Sequence, residues 1–238
     1  GLLGSRYFVA HRTDYFKGEI FADVNLDTDG SLFDKKLMVL NGNTAKEWKF
    51  IFMGTDYTTG IKSEVIDQEL DASDQFAFIE QGIPAIQLFT GATENYHQPT
   101  DIYEKIDGKG LVKVATVTKE VVEYLGSREN PMTYTGKAHS ATQPTEQKKT
   151  NRRVSTGSVP AFDYTGTGIK IGAIVPDSPA GKAGMKVGDI IVALDGKKTD
   201  DLKAYSDLLK KHSPDDKVKI TFLRNNVKKT VSLILEER

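Results

Sequence analysis

Side chains that could bind a metal ion or donate a proton lie together in one short segment, Asn95-Tyr96-His97-Gln98-Pro99-Thr100-Asp101. Two other segments carry carboxylates, Val24-Asn25-Leu26-Asp27 and Ser73-Asp74-Gln75-Phe76. The chain contains no cysteine, which excludes disulfides and thiolate metal sites. Any metal ion would therefore be held by His, Asp or Glu, and neutral imidazole and carboxylate are good zinc ligands.

In their order and spacing these segments resemble the zinc aminopeptidases with a co-catalytic metal pair, which include bacterial leucyl aminopeptidases and glutamate carboxypeptidases. The segments Gly1-Leu2-Leu3-Gly4-Ser5 and Gly82-Ile83-Pro84-Ala85 complete the pattern, which runs through about residues 1 to 128. The resemblance implies the C-terminal half of an enzyme that uses two zinc ions to remove amino-terminal residues from peptide substrates. It also implies an α/β fold, a partial mixed sheet flanked by helices.

The same resemblance assigns a role to individual side chains. It implies that Asp27 is a ligand of one zinc ion, that His97 is a ligand of the other, and that the hydroxyl of Tyr96 polarises the substrate carbonyl. Two zinc ions can share and activate one water molecule, and a phenol can donate to the developing oxyanion. Asp74 would hold a metal-binding side chain in position without binding the metal itself, although Gln75 stands where the family has histidine.

The family's other metal-binding residues are a His-x-Asp ligand, a bridging Asp, and a Glu-Glu pair directly before the Gly-Leu-Leu-Gly-Ser segment. None of these occurs at the corresponding place in this sequence. We therefore expect weak or absent zinc binding and no catalysis from the chain alone. We also expect an open sheet edge, through which the chain could associate with itself.

A calcium loop is an alternative interpretation of the segment around Asp27. Asn25, Asp27, Asp29 and Gly30 match the start of an EF-hand loop. Position 12 of that loop would be Lys36 in place of the bidentate glutamate that calcium requires. The preceding residues also read as a strand, whereas an EF-hand begins with a helix, so the pattern does not favour calcium.

The pattern of apolar residues predicts an α/β layer domain over residues 1–131. Within it, the residues of Ile20–Leu26, Trp48–Met53 and Ile83–Thr90 are typical of strands. The apolar residues of Leu111–Leu125 recur at helical spacing and predict an amphipathic helix. Residues 132–153 are poor in large aliphatic side chains and predict a flexible linker, or at most a strap over a surface.

Residues 154–238 predict a small, mainly β domain with one principal helix. Four short runs rich in branched residues are typical of strands, and Leu202, Tyr205, Leu208 and Leu209 lie on one face of a helix that Thr199-Asp200-Asp201 would cap. The predicted strands are Ile169–Val175, Asp189–Leu194, Lys217–Leu223 and Lys229–Leu235.

This region resembles a PDZ domain of the bacterial protease-associated type. The segments that carry the resemblance are Gly166-Thr167-Gly168-Ile169, Ser178-Pro179-Ala180, Ala183-Gly184-Met185 and Gly188-Asp189-Ile190-Ile191. It implies that backbone N–H groups of the loop Gly166, Thr167 and Gly168 bind the carboxylate of a peptide C-terminus. The peptide would lie as an added strand beside Ile169–Val175, and its last side chain would contact Ile169, Ile171, Tyr205 and Leu209. Alternatively, these apolar residues are core and the glycines serve a turn.

Composition and charge limit the partners. With 32 basic and 33 acidic residues the net charge is −1, so no overall field indicates nucleic acid as a partner. The longest apolar runs are of strand length and predict no transmembrane segment. Proteins of this layout are commonly exported by bacteria, which implies a periplasmic or cell-surface location. A non-enzymatic peptide-binding adaptor is the second hypothesis, and a carboxypeptidase or glutaminyl cyclase is a third.

Overall fold

A computed structural model describes residues 2–68, 70, 73–93, 95–96, 98–136, 152–162, 164 and 166–237. The chain divides into two compact units. The first comprises Gly1–Gly91 and Tyr103–Gln143, and the second comprises Ala92–Ile102 and Pro144–Arg238.

A four-stranded mixed sheet forms the centre of the first unit, and the predicted α/β class is confirmed. The strands follow the order β1-β4-β2-β3, in which β1 is parallel to β4, β4 is antiparallel to β2, and β2 is parallel to β3. Every residue of β4 is buried, so this strand lies at the centre of the core. The strands are β1 (Asp23–Leu26), β2 (Leu37–Leu40), β3 (Ser63–Ile66) and β4 (Ala85–Phe89).

Four helices pack around this sheet. The longest, α4, buries Val114, Val117 and Val121 against the core, whereas Leu111 and Val122 of the predicted amphipathic helix are exposed. None of the helices in the described part of the chain is long and apolar enough to cross a membrane. The helices are α1 (Leu3–Ala10), α2 (Trp48–Thr59), α3 (Gln75–Ile79) and α4 (Gly108–Ser127).

The strand predicted over Trp48–Met53 is wrong, because these residues begin helix α2. Trp48, Ile51 and Phe52 are buried at helical spacing, whereas Phe50 and Met53 on the opposite side of the helix are exposed. The continuous apolar run therefore reflects one helix with apolar residues on both faces, which periodicity alone does not distinguish from a buried strand. Trp48 is nevertheless a core residue, and its Nε1–H donates to Thr44 Oγ1 at 3.0 Å.

The other three predicted elements of the first unit are confirmed, within shorter or longer bounds. The run Ile20–Leu26 contains β1, Ile83–Thr90 contains β4, and Leu111–Leu125 lies inside α4. Because β1 precedes Asp27, the segment that resembles a calcium loop follows a strand and not the helix of an EF-hand.

The start of the predicted linker packs against the first unit. Tyr134 forms a β-bridge with Ala45, Thr135 N–H donates to the carbonyl of Thr44 at 3.0 Å, and Met132 is buried in the core. Residues 132–136 are therefore a strap over this unit, and residues 137–151 of the predicted linker lie outside the described residues.

The second unit is mainly β with one principal helix, as predicted. Its main sheet has the order β11-β10-β8-β7-β6, β9 pairs with β8, and β5 pairs separately with β12. Helix α6 starts at the predicted cap, where the Asp201 side chain accepts a hydrogen bond from Ala204 N–H at 2.7 Å. The elements are β5 (Val154–Ser155), β6 (Ser158–Pro160), β7 (Ile169–Ile174), α5 (Pro179–Lys182), β8 (Ile190–Leu194), β9 (Lys197–Lys198), α6 (Leu202–Leu209), β10 (Lys217–Arg224), β11 (Val227–Ile234) and β12 (Glu236–Glu237).

The Gly188-Asp189 pair of the predicted PDZ pattern has a structural function. Asp189 is 1% exposed and accepts two hydrogen bonds of 2.7 Å from the guanidinium of Arg224. The carboxylate also accepts from the backbone N–H of Lys186 at 2.8 Å, and Arg224 donates to the carbonyl of Gly184 at 2.9 Å. This ion pair joins the turn before β8 to the end of β10.

Replacing Asp189 with asparagine is expected to destabilise the second unit by about 2 kcal/mol, because the substitution leaves the guanidinium without its charged partner. The measurement is urea unfolding of the purified chain. Asp207→Asn is the matched control, because the ion pairs of Asp207 with Lys203 and Lys210 lie at the surface and are expected to contribute about 0–1 kcal/mol. Equal losses from both substitutions would contradict this account.

The first unit is expected to self-associate, because within the described residues β1 and β3 each pair on one side only. Leu26, at the end of β1, is 48% exposed. Light scattering at micromolar concentration should therefore detect a dimer or larger species, and Leu26→Lys should shift it towards the monomer. Val187→Lys, an exposed position in the second unit, is the control. A wild-type chain that runs as a monomer would show this prediction to be wrong.

Candidate functional site

Asp27 lies directly after β1, at the edge of the sheet where the parallel strands β1 and β4 end. Its carboxylate is exposed. One oxygen, Oδ2, accepts a hydrogen bond of 2.6 Å from Ser73 Oγ, and the other, Oδ1, accepts one of 3.1 Å from Thr28 Oγ1. Each oxygen retains a lone pair. Asp27 is thus a solvent-accessible carboxylate held in one orientation, which suits a metal ligand.

A chain of hydrogen bonds continues from Ser73 into the protein. Asn25 Nδ2 donates to Ser73 Oγ at 2.9 Å and to Gln75 Oε1 at 3.1 Å. Asn25 and Asp27 lie on the same face of the sheet because side chains alternate along a strand. Ser73 has φ +76°, a left-handed conformation that turns the chain into α3. These hydrogen bonds connect the end of β1 to Ser73, which is distant from it in sequence.

Gln75 extends this network into the core, where its side chain is completely buried. Its Nε2 donates to Asn41 Oδ1 at 3.0 Å and to Gln87 Oε1 at 3.2 Å. Gln87, on β4, donates in turn to the backbone carbonyl of Asp27 at 3.2 Å. Both the side chain and the backbone of Asp27 are therefore connected to one buried amide network. The glutamine that replaces the family's histidine is a structural member of that network.

The side chain that holds the Asp27 carboxylate is Ser73, the neighbour of Asp74. Asp74 is exposed at the first residue before α3, and among the described residues its carboxylate makes no hydrogen bond to Asp27. Its negative charge helps to raise the pKa of Asp23. The supporting role predicted for Asp74 stays a prediction.

Two further carboxylates around β1 were not part of the predicted zinc site: Asp23 begins the strand, and Asp29, named above only for the calcium-loop alternative, follows Asp27. Burial, followed by the negative charge of Asp74, raises the pKa of Asp23 from 3.8 to about 7. Burial, followed by the charge of Asp27, raises the pKa of Asp29 to about 7. In the described part of the chain, Asp23 Oδ2 and both carboxylate oxygens of Asp29 are buried and accept no hydrogen bond. Burial without partners disfavours their ionised forms.

Two further residues were predicted for this site, Tyr96 and His97. Tyr96 is half-buried, and its N–H donates to the carbonyl of Thr93 at 3.1 Å, but it belongs to the second unit. His97 lies outside the described residues. Among the residues that the structure describes, no three His, Asp or Glu side chains come close enough to hold a metal ion. Asp27 has an exposed and oriented carboxylate, and the ligand roles of Asp27 and His97 both stay predictions.

In the second unit, the predicted peptide-binding strand is wrong. Strand β7 pairs with β6 on one side and with β8 on the other, so a peptide cannot be added beside it. The predicted loop also lacks an available donor at Gly168, whose N–H donates to the carbonyl of Asp200 at 2.9 Å. Gly168 has φ +93°, and a Cβ there would lie 2.7 Å from the carbonyl oxygen of Ile191, so this glycine serves a close backbone approach. Gly166 and Thr167 are exposed beside it.

The open edge of the sheet near helix α6 belongs to β6. Within the described residues β6 pairs with β7 alone. It is preceded by Thr156 and Gly157, and Gly157 has φ +71°. The N–H groups of Gly157 and Ser158 donate to the hydroxyls of Ser155 and Thr156, at 3.0 Å and 3.3 Å. In these two hydrogen bonds the acceptors are side-chain hydroxyls, which a carboxylate could replace more readily than the backbone carbonyl that accepts from Gly168.

The four residues predicted to contact the last side chain of a peptide are all part of the core. Ile169, Ile171 and Leu209 belong to the central apolar cluster of the second unit, and Tyr205 is 3% exposed. The three aliphatic residues therefore agree with the alternative interpretation given above, in which they are core residues. Tyr205 differs because its hydroxyl lies 3.2 Å from Thr156 Oγ1, at the start of β6.

Two family models match the chain. A family model described as peptidase family M28 matches residues 1–122, and one described as the PDZ domain matches residues 142–235. A serine protease HtrA-like protein of Staphylococcus epidermidis is 36% identical over 70 residues, which cover 29% of this chain and 12% of that protein. The chain thus spans about an eighth of the length of this curated relative.

Solved structures match part of the chain. The HtrA-type protease AlgW with a decapeptide is 23% identical, over 36% of this chain and 30% of that chain, with a TM-score of 0.33. The HtrA3 PDZ domain bound to a phage-derived ligand is 26% identical, over 30% of this chain and 66% of that chain, with a TM-score of 0.27. Neither structure describes this chain as a whole.

Asp23→Asn is expected to stabilise the first unit in a pH-dependent way. Because the pKa of Asp23 in the folded chain, about 7, lies above its ordinary 3.8, the folded state favours the protonated carboxyl. The stability that Asp23 contributes is present at acid pH and is lost as the pH rises from about 4 to about 7. The asparagine variant should match the wild type near pH 4 and exceed it by about 1–3 kcal/mol near pH 8.

Urea unfolding at a series of pH values measures this difference. The control is Asp34→Asn, because Asp34 is exposed and its substitution should change stability little at any pH. A stability difference between the Asp23 variant and the wild type that does not vary with pH would show that the carboxyl is not held protonated.

Proposed function

We propose that this chain, which belongs to peptidase family M28 through residues 1–122 and carries a PDZ domain over residues 142–235, supplies part of a zinc-dependent aminopeptidase centre together with a peptide-binding module. The observation that carries the proposal is the placement of Asp27. It is an exposed carboxylate at the carboxyl end of two parallel strands, held there by Ser73 and by the amide network behind it. Ligands of open α/β sheets bind outside the carboxyl ends of strands.

In this proposal Asp27 and His97 each hold one of two zinc ions. When bound, the zinc ions would polarise the substrate carbonyl and supply an activated water molecule. Ser73 keeps the Asp27 carboxylate oriented, because its 2.6 Å hydrogen bond fixes Oδ2 while the lone pairs that remain stay available to a metal. The hydroxyl of Tyr96 would donate to the substrate oxygen as negative charge develops on it.

The peptide-binding part of the proposal places a peptide C-terminus at the open edge of β6. The chain would extend as a strand beside Ser158–Pro160, and the N–H groups of Gly157 and Ser158 would exchange their hydroxyl partners for the terminal carboxylate. Charge-assisted hydrogen bonds to a carboxylate are stronger than those to a neutral hydroxyl, which favours the exchange. This edge replaces the strand β7 that the sequence indicated.

The adaptor hypothesis remains the second candidate, because binding of a peptide at the open edge of β6 would not require a catalytic residue. A carboxypeptidase or glutaminyl cyclase would use the same metal ligands on a different substrate. Export to the periplasm or cell surface is part of the proposal, supported by the resemblance to bacterial proteins of this layout, and cell fractionation tests it.

Substituting Asp27 with alanine should abolish zinc-dependent hydrolysis of amino-acyl anilides in the native protein that contains this sequence. A loss of about 100-fold or more is expected, because a metal-binding side chain is removed. Ser73→Ala should weaken zinc affinity by about 10–100-fold, since it releases the Asp27 carboxylate from its fixed orientation. Zinc affinity is measured by competition with a chromophoric chelator, and activity by release of the aniline.

Asp34→Ala is the matched control, and the 238-residue chain by itself is assayed in parallel. Peptides with a blocked N-terminus and peptides that begin with glutamine separate the carboxypeptidase and cyclase alternatives. Hydrolysis that survives Asp27→Ala would contradict the proposed ligand. Zinc stoichiometry near zero together with no hydrolysis would support the adaptor.

A further inference from the structure

Three hydroxyl groups meet at the open edge of β6. Thr156 Oγ1 lies 2.8 Å from Ser158 Oγ and 3.2 Å from Tyr205 Oη, and it also accepts the N–H of Ser158 at 3.3 Å. Thr156 is completely buried and Tyr205 is 3% exposed, whereas Ser158 is only half-buried. A polar cluster therefore lies where the start of β6 meets α6, within an otherwise apolar core; the space beside this cluster, between β6 and α6, is called the groove below.

The hydrogen-bonding capacity of the three groups differs. A hydroxyl has one donor and two acceptor positions, so the three neighbours of Thr156 Oγ1 saturate it. Ser158 Oγ has a single hydrogen-bond partner in the described part of the chain, which is Thr156. Ser158 is thus the exposed member of the cluster with capacity for a ligand, while Thr156 and Tyr205 hold it in place.

The position of Ser158 determines what it would contact. A peptide whose carboxylate binds the N–H groups of Gly157 and Ser158 places its last residue opposite Ser158. Residues directly opposite on neighbouring strands project to the same face of the sheet. The last side chain of the peptide would therefore lie over the Ser158 hydroxyl, on the face where Tyr205 of α6 reaches β6.

Space on this face is limited. The ring of Tyr205 belongs to the core cluster and its hydroxyl reaches the start of β6, so this side chain occupies part of the space between helix and strand. On the other side of the loop, a Cβ at Gly157 would collide with the Ser178 side chain. A bulky side chain would have to displace Tyr205 and separate two hydrogen-bonded hydroxyls, which is unfavourable in a buried site.

We propose that the Thr156–Ser158–Tyr205 hydroxyl cluster makes this groove selective for peptides that end in a short, hydroxyl-bearing or small residue, namely serine, threonine or alanine. The inference rests on the proposed peptide-binding function. Ser158 donates to or accepts from the ligand hydroxyl, and Tyr205 sets the depth of the pocket. A terminal leucine or phenylalanine would have to displace the Tyr205 side chain and would leave the Ser158 hydroxyl without a ligand partner.

Binding of fluorescent peptides to the 238-residue chain tests the proposal. The peptides share one sequence and differ only in the last residue, which is serine, threonine, alanine, leucine or phenylalanine. A sixth peptide ends in serine with an amidated C-terminus. Fluorescence anisotropy should give an affinity at least about tenfold higher for serine and threonine than for leucine and phenylalanine.

Two variants separate the roles within the cluster. Ser158→Ala should reduce the preference for serine over alanine by about 3–10-fold, because the ligand hydroxyl loses its partner. Tyr205→Leu should raise the affinity for the leucine peptide by about tenfold, because the pocket becomes deeper and apolar. Ser206→Ala, one residue further along α6, is the control and should change neither preference. Since Ser158 is half-buried, its variant remains informative if Tyr205→Leu does not fold.

The outcomes distinguish this inference from the function on which it rests. If no peptide binds, or if the amidated peptide binds as well as the free acid, the proposed peptide-binding function is wrong and the inference fails with it. If binding requires the free carboxylate but favours leucine or phenylalanine, the function stands and the inference is overturned. Preferences that Ser158→Ala leaves unchanged would likewise overturn it.

Discussion

The burial of strand β4 is the constraint on which the first unit depends. All of its residues are inaccessible to water, and one of them, Gln87, carries a polar side chain. A buried amide must find partners inside the protein, and here they are Gln75 and the backbone of Asp27. One glutamine in the central strand thus fixes helix α3, the end of β1 and the exposed carboxylate that follows it.

The same constraint explains what sequence reasoning could and could not find in this unit. Asp27 was identified because it ends a recognisable strand within a family pattern. Ser73 was overlooked because its role depends on a contact across 46 positions of sequence, which no local pattern reports. The strand predicted at Trp48 was wrong for a different reason. Apolar residues on the exposed side of α2 masked its helical period.

In the second unit, all four predicted strands and the helix are present, because alternation of branched residues and a capping aspartate are local signals. The position of the open edge is not a local property. Strand β7 is the most regular strand near a glycine loop, yet pairing on both sides makes it an internal strand. The three-residue strand β6, which contains a proline and little branched sequence, gave no strand signal. Within the described residues, β6 nevertheless has one unpaired side, and it directly follows the loop formed by Thr156 and Gly157.

The length of β6 also limits how long a peptide can stay. The strand has three residues, and the last, Pro160, has no N–H to donate. A peptide added there gains only a few backbone hydrogen bonds, each worth about 1 kcal/mol. A dissociation constant above about 10 μM would follow, and with ordinary association rates the bound state would last about 1 s or less. Such a module exchanges its ligands rapidly, so it suits the inspection of many chain ends in succession more than the retention of one.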